Sequence, residues 1–85
     1  MRHFASPAFW KRFAELPTQV QDLARKNFEL LKRDPQHPSL HFKSVGRFRS
    51  VRVGISFRAL GVSIDDGVVW FWIGDHDEYE RMIRQ

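Results

Sequence analysis

Between Lys43 and Arg58 the chain carries five basic side chains, Lys43, Arg47, Arg49, Arg52 and Arg58, and no acidic one. A run of cations without counter-charges is equipment for an anion. Strand alternation within Phe48–Val53 places Val51 and Val53 on one face and Ser50 and Arg52 on the other. Arg58 stands between Phe57 and Ala59. A guanidinium in such apolar company is costly to desolvate unless it meets an anion or emerges into a groove. Guanidinium groups stay charged and present a planar fork of donors, which matches phosphate oxygens. Arg52 and Arg58 are therefore the first candidates for a phosphate site, with Lys43, Arg47 and Arg49 as further contacts. The competing reading is a solvated basic face, or internal pairing with Asp65, Asp66 or Glu80.

His76 and Tyr79 are the candidates for moving protons. His76 follows an apolar run in Ile73-Gly74-Asp75-His76-Asp77, and a strand end opening into a helix is a good place for a working imidazole. Tyr79 can donate a proton or stack on a base, and its i, i+4 relation to Ile83 allows a core role equally well. A metal site is not expected. His37 and His41 are four apart, but Pro38 between them argues against a helical pair, and the chain has no cysteine. It also lacks a Gly-x-x-x-x-Gly-Lys loop and a Gly-x-Ser-x-Gly elbow, so nucleotide hydrolysis and serine-hydrolase chemistry have no support and no cofactor is expected.

Those side chains need a scaffold, and the spacing predicts one. Arg2–Ala5 reads as a short strand, and Ser6-Pro7 as an N-cap with proline at the first helical position. Phe9 and Phe13, with Trp10 beside them, give the first helix an apolar stripe until Leu16-Pro17 interrupts it. Thr18 and Gln21 have the form of a capping box, after which Val20, Leu23, Ala24, Phe28 and Leu31 recur at helical spacing to about Arg33. The segments 40–45, 48–54, 57–64 and 68–73 read as strands separated by glycine or Asp-Asp-Gly turns, Asp66-Gly67 being the clearest hairpin. Short connections make them antiparallel. The last strand is apolar on both faces, as a covered central strand would be. Asp77 with Glu80 can cap a short final helix carrying Tyr79, Met82 and Ile83. The expected fold is α+β: a small antiparallel sheet, an N-terminal helical hairpin on one face and a short C-terminal helix. The arginine pair is expected in a shallow hollow on the uncovered face.

Composition bounds the rest. Eighty-five residues allow one domain spanning 1–85, and 42% hydrophobic with 14% aromatic residues suffices for a core. Fourteen Lys and Arg against ten Asp and Glu give +4, so an anionic partner is favoured: nucleic acid, an acidic protein or an anionic membrane. No apolar run approaches the roughly 20 residues of a membrane span, and no secretory signal is evident, so the expectation is a soluble, cytoplasmic protein.

Four stretches stand out together: Leu16-Pro17 before the long helix, Leu40-His41-Phe42-Lys43, Ser50-Val51-Arg52-Val53-Gly54 running into Ser56-Phe57-Arg58-Ala59-Leu60, and Trp70-Phe71-Trp72-Ile73-Gly74-Asp75-His76 with Tyr79. In combination they resemble the RelE/ParE superfamily of bacterial type II toxin–antitoxin toxins. The resemblance implies a small curved antiparallel sheet with a helical hairpin against it. RelE-like members cleave mRNA on the ribosome without metal and inhibit translation. By position, Arg58 matches the family arginine that follows an aromatic residue, while Arg52 and Lys43 match basic residues of earlier strands. His76 lies near a position that often holds Arg or His, and Tyr79 is similar to a tyrosine of the last helix. The implied chemistry is attack of a ribose 2′-hydroxyl on the neighbouring phosphate, with Arg52 and Arg58 stabilising the added charge and His76 or Tyr79 moving protons. Two positions depart from that pattern: acids flank His76, and Ser50 stands where some members have lysine. ParE-like members share the fold but poison DNA gyrase by binding it, which leaves a non-enzymatic binder or an inactive relative as the alternative. The implied partners are a cognate antitoxin together with mRNA and the ribosome, or gyrase.

Overall fold

The structure, a computed structural model, describes residues 1–84. The elements are β1 (Arg2–Ala5), α1 (Pro7–Ala14), α2 (Thr18–Arg33), a 3₁₀ turn (Pro38–Leu40), β2 (Lys43–Val45), β3 (Phe48–Val53), β4 (Phe57–Ile64), β5 (Gly67–Asp75) and α3 (His76–Ile83). They build a mixed α/β molecule on one five-stranded sheet of order β1-β5-β4-β3-β2. Among the described residues no helix is long and apolar enough to cross a membrane.

The helical hairpin forms as its sequence directs, with one change of capping. Ser6 Oγ accepts from Phe9 N at 3.3 Å, and Pro7 occupies the first turn of α1. Thr18, expected as the N-cap of α2, is already helical; Pro17 is the capping residue and makes no side-chain cap. Gln21 reaches back instead, its Nε2 donating to the carbonyls of Phe13 and Leu16 at 3.1 Å each. A proline bend brings the end of α1 within reach of this amide, which closes the hairpin by adding a side-chain donor to carbonyls at the helix end.

The sheet is antiparallel from β2 to β5, as expected, but β1 runs parallel to β5. Two helices and three strands separate them in sequence, so no tight turn dictates their direction. Gly67 is central to this pairing. The predicted Asp66-Gly67 turn is in fact an Asp65-Asp66 loop, because Ile64 already pairs with Gly67. Gly67 lies opposite Arg2, whose backbone would collide with any Cβ placed there. Its missing side chain admits a neighbouring strand.

β5 also contains a bulge. Gly61 pairs with Trp70 and Leu60 with Trp72, leaving Phe71 as an extra residue. One inserted residue reverses the side-chain alternation, so Trp70 and Trp72 point to opposite faces. Trp70 joins the main core under α1 and α2, with Phe13, Leu31, Leu40, Val51, Val53, Ala59, Val68 and Ile73. Trp72 joins a smaller core with Leu60 and Tyr79, flanked by Phe48, Phe71, Met82 and Ile83. The face expected to be uncovered is thus partly roofed by α3. Arg12 ties the roof to the frame: its Nη2 lies 2.9 and 2.8 Å from the two carboxylate oxygens of Glu78, and its Nε donates to Ile73 O at 3.2 Å.

Two boundaries differ from expectation. β5 runs on through Asp75, so Asp75 rather than Asp77 caps α3, its Oδ1 accepting from Glu78 N at 2.8 Å. The strand expected from Leu40 begins only at Lys43, because Pro38–Leu40 winds into a 3₁₀ turn ending on His41 at φ 45°. Pro38 supplies the fixed φ for that turn, and fully buried Leu40 anchors it.

Candidate functional site

Arg52 and Arg58 are directly opposite one another across β3 and β4. Like charges so placed repel. Burial first, and the Arg52 charge second, lower the proton affinity of the Arg58 guanidinium, against an opposing influence from Tyr79 and Glu80. It remains a cation all the same.

What holds the pair is backbone. Gly54, at φ 66° in the turn between the two strands, offers its carbonyl to both: Arg52 Nε donates at 3.2 Å and Arg58 Nη1 at 3.5 Å. Arg58 Nη1 also donates to Ile55 O at 3.3 Å and Phe57 O at 2.8 Å. Among the described residues neither arginine forms a salt bridge to a carboxylate. The two guanidiniums are therefore gathered and partly desolvated, with donors to spare, which is the electrostatic preparation for a bound anion.

Around this pair stand residues from β2, from α3 and from the turn that precedes β2. Lys43 pairs with Ser50 in the register of β2 and β3, which places it on the same face. Tyr79 approaches from α3, its ring centroid 6.0 Å from the Arg58 guanidinium carbon. It is 4% exposed, and its hydroxyl accepts from Ser50 Oγ at 3.0 Å, with Ser50 only 2% exposed. Ser50 is thus the buried partner of the tyrosine. The His76 ring lies 5.9 Å from Tyr79, and its Nε2 is 3.2 Å from Glu80 Oε1. Asp75 is occupied as the helix cap. His41 completes the ring of groups, with Nε2 at 3.4 Å from Arg52 Nη1.

The remaining basic candidates lie elsewhere. Arg47 occupies the β2–β3 turn over the Phe48 ring at 5.1 Å. Arg49 is on the opposite face, stacked 4.2 Å from the Phe42 ring. Alternation along β3 already pairs Arg49 with Val51 rather than with Arg52. The charge run therefore divides between faces, and Lys43, Arg52 and Arg58 share one of them.

Two residues of the site region have no role at the site that the sequence reading assigns. His41 enters through a left-handed turn residue that no strand pattern predicts, although Pro38 marks the break before it. Arg12 lies 66 residues from Glu78 in sequence, beyond any local signal. His37 has a local task, its Nδ1 accepting from Ser39 N at 3.2 Å.

No family model and no curated protein matches this chain. Solved structures do. A chain of the RelB-RelE antitoxin-toxin complex from Methanococcus jannaschii superposes with a TM-score of 0.72 at 12% identity, covering 93% of this chain and 96% of that one. A copper-bound mutant toxin from Helicobacter pylori gives 0.65 at 18% identity, covering 92% and 97%. The isolated E. coli RelE toxin gives 0.62 at 12% identity, covering 96% and 94%. The fold is that of the RelE-type toxins.

Proposed function

We propose that this protein is the toxin of a toxin–antitoxin pair and that it cleaves mRNA, in a ribosome-dependent manner, through side-chain chemistry at the Arg52–Arg58 site. The observation that carries the proposal is the arginine pair: opposed across two strands, gathered on one glycine carbonyl and without a carboxylate partner. Two adjacent guanidiniums suit the dianionic phosphorane formed when a 2′-hydroxyl attacks its neighbouring phosphate. Lys43 extends the cationic face along the path of an RNA backbone, and Tyr79 is the platform beside Arg58. The likeness to a chain of an antitoxin-toxin complex supports an antitoxin partner for this protein, and the reading places the pair in the cytoplasm. An acidic or amphipathic segment would neutralise the surface that RNA uses.

Arg58→Ala tests this directly. Expression of the wild type should arrest growth with rapid mRNA cleavage and intact DNA, cleavage by the purified protein on programmed ribosomes should need no metal beyond the magnesium that holds the ribosome together, and Arg58→Ala should lose about 10²- to 10³-fold in rate. Undiminished toxicity in that variant would remove the nuclease assignment. A second reading, a gyrase-binding toxin or a catalytically silent relative, draws on the engagement of Tyr79 by Ser50 and of His76 by Glu80. It predicts double-strand breaks with stable transcripts, or no arrest.

A further inference from the structure

We infer that His41 is the general base of this site, taking the proton from the attacking ribose hydroxyl; the inference rests on the RNA-cleavage reading above. His76 Nε2 faces the Glu80 carboxylate at 3.2 Å, and the Tyr79 hydroxyl is buried against Ser50. His41 is different. It is exposed, and its Nε2 lies 3.4 Å from Arg52 Nη1. Every nitrogen of a guanidinium is a donor, so the contact is a hydrogen bond only if Nε2 presents its lone pair and the ring proton sits on Nδ1. That is the tautomer a base needs. Its position is also well determined: the His41 backbone N–H closes the 3₁₀ turn on Pro38 O at 3.3 Å, one residue after fully buried Leu40. A phosphate held by Arg52 would bring an adjacent 2′-hydroxyl within reach of Nε2, directly or through one water.

The step balances without a further reagent. The 2′-oxygen passes its proton to His41 Nε2 and bonds to phosphorus, while the bond from phosphorus to the 5′-oxygen breaks. The departing oxygen keeps the bonding pair and takes a proton from water, and the resulting hydroxide takes the proton from His41. The products are a 2′,3′-cyclic phosphate and a 5′-hydroxyl.

The test combines kinetics with a measurement that needs no RNA. On programmed ribosomes, His41→Ala should lower the single-turnover cleavage rate about 10²- to 10⁴-fold, with half-saturation within about threefold of wild type, and added imidazole should restore part of the rate. Gln36→Ala, a control at an exposed position on the same loop, should cleave normally. In the free wild-type protein, the ¹⁵N shifts of His41 should show the proton on Nδ1. A proton on Nε2 would overturn the assignment, as would a loss in His41→Ala that imidazole leaves unchanged. Wild-type cleavage by His41→Ala alongside inactive Arg58→Ala would overturn this inference alone. Absence of cleavage by the wild type would instead overturn the RNA-cleavage reading.

Discussion

At the scale of single residues, the site is built by spending polar groups locally. Ser50 and Tyr79 are both buried and satisfy one another, so removing either hydroxyl strands its partner. Ser50→Ala and Tyr79→Phe should each destabilise by about 1–3 kcal/mol, and the double variant by less than their sum. Urea denaturation of the four proteins closes that cycle, and additive losses would show the hydroxyls to be independent. His3 makes the second prediction. Its Nδ1 accepts from Trp70 Nε1 at 3.1 Å, and burial foremost, then the N-terminal ammonium, Lys32 and Arg49, lower its pKa below the ordinary 6.5. The unfolded chain therefore binds this proton more readily than the folded one. Stability from the contact is full above about pH 6.5 and is lost as the pH falls through the lowered value. Denaturation midpoints at several pH values should fall on that acid side, and His3→Gln should flatten the slope.

Element boundaries decide where those residues meet. Gly54 shows this most directly, since its left-handed backbone turns β3 into β4 and aims one carbonyl at both arginines. A Cβ at this position would stand 2.7 Å from Leu23 Cδ2 as well as being strained. Gly54→Ala should cost more than about 1 kcal/mol and weaken RNA binding together with stability; stability lost with RNA affinity intact would show that the carbonyl does not organise the pair. Much at this scale was legible beforehand. β1, α1 from its Ser-Pro start, α2 to Arg33 and β4 follow from local punctuation and periodicity. Three boundaries departed: Thr18 lost its cap to the adjacent Pro17, Asp77 lost its cap to a longer β5, and Leu40 left its strand for the core. The first is a shift of one residue set locally, and in the other two tertiary packing displaced a local preference by two and three residues.

For the whole molecule, charge and topology act together. The net charge is +4, and the cations of the β3 region are divided by the sheet, with Arg49 on the helical face and Lys43, Arg52 and Arg58 opposite. On the proposed RNA-cleavage reading, affinity for single-stranded RNA should fall linearly on a log–log plot against salt, and Arg52→Ala or Lys43→Ala should each reduce the slope by about 0.7. Fluorescence anisotropy across a salt series measures this. An unchanged slope would place the RNA on another surface.

From the sequence alone came the α+β class, the helical hairpin, the antiparallel meander and the candidacy of Arg52 and Arg58, because periodicity, turn chemistry and an unpaired cationic run are local properties. Tertiary structure decided the parallel docking of β1, the reversal of faces at Phe71, the roof of α3 and the approach of His41 to Arg52. Each of these depends on which distant segments come into contact, and a one-residue bulge or a single left-handed turn is enough to change which side chains face one another.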